Sequence, residues 1–497
     1  MTLSPPRPLA LASLVATLDG ARVHGEAGGD VAAISHDSRT LHAGALFVAL
    51  RGARADGHAF VASAFAAGAR AAVVDAAYAS RDPLPTGATL IVVPDTRRAL
   101  SRLAAVYYGR PSAALAVIGV TGTNGKTTTV HMLAAILCAG GIPTGCIGTL
   151  GAHFGSRHAR LANTTPLALE LQATLAAMRD DGARAVAMEI SSHALATERV
   201  ADVEVALGVL TNVTRDHLDF HGTPAAYAAA KRSLFERARE AILGSDDPLG
   251  RRWAAELAAA GGSPRTYGCD AGAAIRATEI VARAGGSEFT LDGTRFALPI
   301  PGRFNVRNAL AAVAVAREFG IDDAASAAAL RAFESVPGRM EHFARGGIDV
   351  FVDYAHTPDA LAAVLHAARE ATQGRLTVVF GCGGDRDRGK RPEMGRIARE
   401  LADRVTVTND NPRSEDPSAI AREIVAGMSA GRPPRIELDR GVAIAQAIRE
   451  AEPGDLVVVA GKGHETYQIV RDAVTSFDDR AAVRAALAAR ELGHGCA

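Results

Sequence analysis

Cysteine is scarce. The five residues Cys138, Cys146, Cys269, Cys382 and Cys496 are scattered, odd in number and form no Cys-x-x-Cys pair. That pattern argues against a disulfide framework or a structural zinc site and fits reduced thiols in a cytoplasm. Net charge is also absent, because 54 Lys and Arg balance 54 Asp and Glu. No global field therefore draws the chain to nucleic acid or to an anionic membrane. No apolar run approaches the roughly 20 residues that a membrane span needs. The start, Met1-Thr2-Leu3-Ser4-Pro5-Pro6, lacks the charged-then-apolar order of a secretory signal.

What is present is a phosphate-binding pattern. The run Gly122-Thr123-Asn124-Gly125-Lys126-Thr127-Thr128 follows an apolar stretch (115–120) and opens a helical one (127–139). Glycines let backbone N–H groups wrap phosphate oxygens, and the helix N-terminus adds positive potential. Lys126 reaches toward β- and γ-phosphates, and Thr127 suits Mg²⁺. One position departs from the general pattern. Val120 stands where the first glycine belongs.

The 497 residues are enough for about three domains. The expected class is α/β in three parts. A small N-terminal α/β domain covers 1–110. A central doubly wound sheet with the phosphate loop covers 111–338, and a C-terminal Rossmann-like α/β domain covers 339–497. Breaks at Tyr108-Gly109-Arg110-Pro111-Ser112 and Val336-Pro337-Gly338-Arg339-Met340 read as linkers. Such linkers predict hinge closure over the nucleotide. In open α/β sheets, ligand groups gather at strand carboxyl ends. Two polar tails fall there, Glu189-Ile190-Ser191-Ser192-His193 and Thr211-Asn212-Val213-Thr214-Arg215-Asp216-His217. Glu189, Asp216 and His217 are thus candidates to surround a nucleotide-bound metal. The pair His217/His221 lacks the glutamate at 218 that a zinc protease requires. Lys231, on an alanine-rich helical stretch, reads by pattern as a solvated surface residue. Asn305 reads as a helix N-cap, with Asn308 on the same face as a second amide able to read a base edge. Asp37-Ser38-Arg39 reads as a turn.

The C-terminal third alternates strand and helix. Gly381-Cys382-Gly383-Gly384-Asp385-Arg386 has arginine at the third glycine position of a dinucleotide fingerprint, which disfavours hydride transfer. Arg386, Arg413 and Glu465 fall at one edge of one sheet. Two guanidinium groups and a carboxylate suit a ligand carrying carboxylates and an ammonium. A surface ion-pair cluster would give the same spacing.

Together the phosphate loop, Glu189–His193, Arg215-Asp216-His217-Leu218-Asp219, Asn305-Val306-Arg307-Asn308-Ala309 and Asp353-Tyr354-Ala355-His356 resemble the Mur ligase family along the whole chain. Asp410-Asn411-Pro412-Arg413 is similar to the recognition motif of members that add meso-diaminopimelate. The resemblance implies an ATP-dependent acid–amino-acid ligase of peptidoglycan precursor synthesis, cytoplasmic and monomeric, without nucleic-acid or membrane partners. ATP would phosphorylate the terminal carboxylate of UDP-N-acetylmuramoyl-L-alanyl-D-glutamate, and the amine of meso-2,6-diaminopimelate would displace phosphate. By the same resemblance Lys126, Glu189, His217 and Lys231 are catalytic, with Thr127, Glu189, His217 and a CO₂-carboxylated Lys231 as Mg²⁺ groups. The ATP site adds Gly122 to Thr128, Asn305, Asn308, Arg339 and Asp353. The UDP part falls to Ser38, Ala53, Arg54 and Ala55. The muramoyl dipeptide falls to Asn163, Thr164, Thr165, Ser191, Thr197 and Arg199, where Thr197 replaces the glutamine common in relatives. The amino acid falls to Arg386, Asp410, Asn411, Pro412, Arg413, Gly461 and Glu465. The alternatives are a lysine-adding or folate-polyglutamating relative, disfavoured by Arg413 and by the N-terminal domain respectively, and a nucleotide-switched binding protein.

Overall fold

A computed structural model describes residues 7–52, 55–79, 88–428 and 431–494. The chain forms two compact units. The first comprises residues 1–121, 142–208 and 230–241, and the second comprises 122–141, 209–229 and 242–497. The mixed α/β class expected from the sequence is what the strands and helices build.

In the first unit a five-stranded sheet runs in the order Arg22–His24, Thr89–Val93, Ala71–Asp75, Leu46–Val48, Ile34–Ser35. Its last four strands are parallel. Alternate residues point to opposite faces, and both faces are buried. Leu46, Val48, Val73 and Ile91 enter one core, while Phe47, Ala72, Val74 and Leu90 enter another. Burial on both sides explains why these strands read as continuous apolar runs rather than alternating ones. In the same unit, strand Ala185–Glu189 lies parallel between Thr144–Gly148 and Ala116–Thr121. Its register sets Glu189 opposite Val120.

The second unit carries helix Lys126–Ala139, helix Arg303–Glu318 and a three-stranded antiparallel sheet spanning 278–298. It also carries a six-stranded sheet in the order Glu341–Arg345, Ile348–Asp353, Leu456–Ala460, Leu376–Phe380, Arg404–Val407, Arg435–Ile436. Only its first pair is antiparallel. Val350, Val352, Val379, Val457 and Val459 pack on Ile444, Ile448, Val483 and Leu487. The parallel strands all end at one edge, and the loops 381–386, 408–413 and 461–465 leave from that edge.

Both stretches read as linkers are tied down. Ser112 is buried, and its hydroxyl accepts from the Glu204 N–H. Met340 is buried with φ 47°, and its N–H donates to Asp353. Among the described residues no helix is long and apolar enough to cross a membrane.

Candidate active site

The phosphate loop belongs to the second unit. Gly122 has φ 147°, and a Cβ there would lie 1.9 Å from Thr211 Oγ1. Gly125, the N-cap of helix Lys126–Ala139, has φ 88°, and its Cβ would lie 2.3 Å from Asn308 Oδ1. Only glycine combines that φ with that clearance. Gly125→Ala should therefore raise the apparent KM for ATP by about tenfold or more while leaving the KM for the amino acid nearly unchanged. Steady-state titration of each substrate checks this, and an equal change in both would assign the glycine to folding.

The loop is braced from behind by residues that sequence reasoning did not select. Asn212 accepts the Asn124 N–H at 3.0 Å and donates to the Asn124 carbonyl. Thr123 Oγ1 lies 3.0 Å from the Tyr227 hydroxyl and accepts the Thr214 N–H. Lys126 Nζ donates to the carbonyls of Gly122 and Thr123 at 2.8 and 2.9 Å. Thr127 Oγ1 accepts from Arg339 at 3.1 Å, and the Arg339 guanidinium lies over the Tyr354 ring.

One sequence reading needs correction here. Asn305 does not cap its helix, because Gly302 is the N-cap. Asn305 is buried one turn in and donates to the Pro301 carbonyl. Its Oδ1 accepts from Asn308, whose own Oδ1 accepts from Thr129. These amides hydrogen-bond inside the protein, where Asn308 presses on Gly125. Asp353 is likewise committed, its two oxygens accepting the Met340 and Ala355 N–H groups. Burial pushes its carboxyl upward, opposed by the Arg339 charge and these two hydrogen bonds. Its geometry holds the chain beside Arg339.

His217 has φ 51° and is half exposed. Its N–H donates to Asp216. Burial acts to raise the Asp216 carboxyl, but His217, His356 and Lys126 outweigh it and hold the group below its usual range. His356 Nδ1 donates to the Tyr354 carbonyl, which leaves Nε2 as the acceptor. Burial first, then the Lys390 charge, lowers its pKa.

In the first unit Glu189 is buried and accepts from the Thr149 N–H at 2.8 Å and the Thr149 hydroxyl at 3.3 Å. Thr165 donates to the Glu189 carbonyl and accepts the Ser191 N–H. Thr164 pairs with Thr149, and Asn163 is exposed. Arg199 donates to the Thr165 carbonyl and to the Thr197 hydroxyl. Thr197 thus steers this guanidinium. Lys231 is buried at 1% exposure, which overturns the solvated reading. Ser38 opens a single 3-10 turn capped by Asp37, as the turn reading expected. Ala55 is exposed, while Ala53 and Arg54 lie outside the described residues.

Glu189 in the first unit and Thr127 in the second each offer a hard oxygen of the kind Mg²⁺ takes. The fit rests on Glu189. It is a buried carboxylate with no lysine, arginine or histidine partner among the described residues. A cation beside it would supply the missing charge.

At the edge of the six-stranded sheet, Asn411 is buried between three partners. Its Nδ2 donates to Glu465 at 2.9 Å, and its Oδ1 accepts from Lys462 Nζ and the Ile469 N–H. Lys462, fully buried and also 3.3 Å from Glu465, was not selected from the sequence. A Cβ on Gly461 would lie 2.5 Å from Asp410 Oδ2. Arg413 has φ 51°, and its backbone pairs with Ile469 and Arg471. Its NH1 donates to the carbonyls of Gly384 and Asn411. Nε and NH2 make no hydrogen bond among the described residues, which leaves the bidentate edge of the fork for a ligand. Pro412 is buried behind it, and Arg386 is exposed with NH1 on the Asp385 carbonyl.

Three family profiles match the chain. They are the Mur ligase family catalytic domain at residues 30–108, the Mur ligase middle domain at 120–316, and the Mur ligase glutamate ligase domain at 338–463. A UDP-N-acetylmuramoyl-L-alanyl-D-glutamate--2,6-diaminopimelate ligase of Gloeobacter violaceus is 46% identical over 93% of this chain and 94% of its own. A protein of the same name from Syntrophomonas wolfei is 45% identical over 91% and 93%. A solved structure of a ligase of that name has a TM-score of 0.68 at 32% identity, covering 97% of this chain and 99% of its own. The chain belongs to the Mur ligase family.

Proposed function

We propose that the protein is an ATP-dependent ligase joining meso-2,6-diaminopimelate to UDP-N-acetylmuramoyl-L-alanyl-D-glutamate in peptidoglycan precursor synthesis, acting as a cytoplasmic monomer. The observation that carries the choice of amino acid is the open Nε–NH2 edge of Arg413 in the same loop cluster as Glu465. A carboxylate is a poor electrophile, and phosphorylation gives it a leaving group. The γ-phosphoryl group of ATP passes to the dipeptide carboxylate and ADP leaves. The amine then attacks the acyl carbon, loses a proton, and phosphate departs. Thr127, Glu189, His217 and a carboxylated Lys231 would hold Mg²⁺, which when bound would supply positive charge against the phosphates. The Lys126 ammonium compensates the transferring group, and the loop N–H groups bind its neighbours. Arg339 holds Thr127 in place. Thr165, Ser191 and Arg199 orient the dipeptide, and Ser38 with the 53–55 loop takes the UDP part.

In the amino-acid site Arg413 takes the second carboxylate and Glu465 an ammonium. Burial, then the Asp410 charge, raises the Glu465 carboxyl above its ordinary 4.5, with Lys462 and Asn411 opposing. A raised carboxyl keeps its proton to a higher pH and then cannot pair with an ammonium. The apparent KM for diaminopimelate should therefore stay flat at high pH. It should rise up to about tenfold per unit as pH falls through the Glu465 value. Glu465→Gln should bind weakly and lose this slope. A slope that persists in the variant would move the titration to another group.

The direct test incubates the protein with ATP, Mg²⁺, the UDP-dipeptide and radiolabelled diaminopimelate. Phosphate release that requires both co-substrates, with label in the UDP product, is the expected result. Turnover with lysine in preference to diaminopimelate would overturn the substrate, and release without either co-substrate would overturn the ligase reading.

A further inference from the structure

We propose that Arg391, acting through Glu415, is a positioning residue that locks the loops carrying Arg386 and Arg413 together and so sets discrimination between a two-carboxylate amino acid and lysine. This rests on the amino-acid site described above. The two loops follow the parallel neighbours Leu376–Phe380 and Arg404–Val407. They touch backbone to backbone. The Gly384 N–H donates to the Asn411 carbonyl at 3.0 Å, and a Cβ on Gly384 would lie 1.8 Å from the Pro412 carbonyl oxygen. The fork of Arg413 is aimed by its bond to the Gly384 carbonyl, so any slip between the loops turns the guanidinium.

Arg391 sits under both loops in the first turn of helix Lys390–Leu401 and is fully buried. Its NH2 donates to the Gly383 carbonyl of one loop at 3.2 Å and to Glu415 Oε1, beyond the other, at 2.8 Å. Its NH1 donates to Glu415 Oε2 at 2.9 Å and to Glu423 at 2.7 Å. Glu415 closes the circuit by accepting the Asp385 N–H at 2.6 Å, and Ser414 donates its hydroxyl to Asp385 at 2.6 Å. Asp385 and Arg413 both hold left-handed backbone angles, φ 54° and 51°. Non-glycine residues keep such angles only where their surroundings impose them. The Arg391–Glu415 pair is bidentate, so it fixes direction as well as distance. Buried pairs of this kind add little stability over apolar packing of the same volume, so placement is the effect that distinguishes this one.

The test compares Glu415→Gln, Arg391→Met and Arg391→Lys in the full chain. It measures KM for each substrate, the kcat/KM ratio of diaminopimelate over lysine, and the melting temperature. Glu415→Gln and Arg391→Met should raise the KM for diaminopimelate by about tenfold or more and lower the ratio by a similar factor. KM for ATP and for the UDP-dipeptide should change by less than about twofold, and Arg391→Lys should recover part of the loss. An unchanged ratio, or equal changes in all three KM values, would overturn the proposal. Ser414→Ala touches only an exposed hydroxyl and guards against a misfolded Arg391 variant; it should move the ratio in the same direction. Should the wild-type protein not use diaminopimelate at all, amide exchange still decides the matter. Glu415→Gln should then speed exchange in 381–386 and 411–415 together, and faster exchange in one loop alone would overturn the lock.

Discussion

Lys231→Ala is expected to lose about a thousandfold or more in ligase turnover, with partial return on adding formate or acetate. The side chain is buried on helix Pro224–Arg232, one turn after Tyr227, whose hydroxyl braces the phosphate loop. Only a neutral amine attacks CO₂, so carboxylation of Lys231 releases the ammonium proton. Carboxylation turns a cation into an oxygen-donating anion, the charge a phosphate-bound Mg²⁺ needs. Alanine removes both the carbamate and the volume, and a short carboxylate restores only the anion. Full activity in the variant would remove Lys231 from the metal site. Loss without rescue, together with a lowered melting temperature, would make it a packing residue.

Arg413→Ala is expected to raise the apparent KM for diaminopimelate on the order of several hundredfold, with far smaller changes for ATP and the UDP-dipeptide. The reasoning is geometric. NH1 is spent on the Gly384 and Asn411 carbonyls, and Nε and NH2 make no hydrogen bond among the described residues. A carboxylate fills that edge with two charge-assisted hydrogen bonds, whereas lysine would bring an ammonium against a guanidinium. Alanine therefore also narrows the preference over lysine. Equal losses for all three substrates would show that Arg413 only holds the hairpin Tyr467–Val470 and Ala473–Ser476 to the loop.

The phosphate loop was legible because its chemistry is local. Glycine, lysine and threonine must follow one another within a strand–helix turn, and they do. The strand ends carrying Glu189 and Arg413 were legible for a related reason, since apolar runs end in polar tails. What the sequence hid was burial set by distant partners. Asn308 reads as an amide on a helix face, yet it packs against Gly125 and meets Thr129, 179 residues earlier. Lys231, Lys462 and Arg391 look like solvated charges on helices and loops until the fold sets carboxylates, amides or packed walls around them. Asn212 carries no motif of its own, and its role appears only when its side chain meets Asn124.

The most direct measurement follows oxygen. The UDP-dipeptide is prepared with ¹⁸O in its terminal carboxylate and turned over with ATP and diaminopimelate, and the released phosphate is weighed by mass spectrometry. Transfer of the phosphoryl group to that carboxylate predicts one ¹⁸O atom in each phosphate, because the acyl C–O bond breaks when the amine attacks. Phosphate free of label, alongside amide product, would contradict the account.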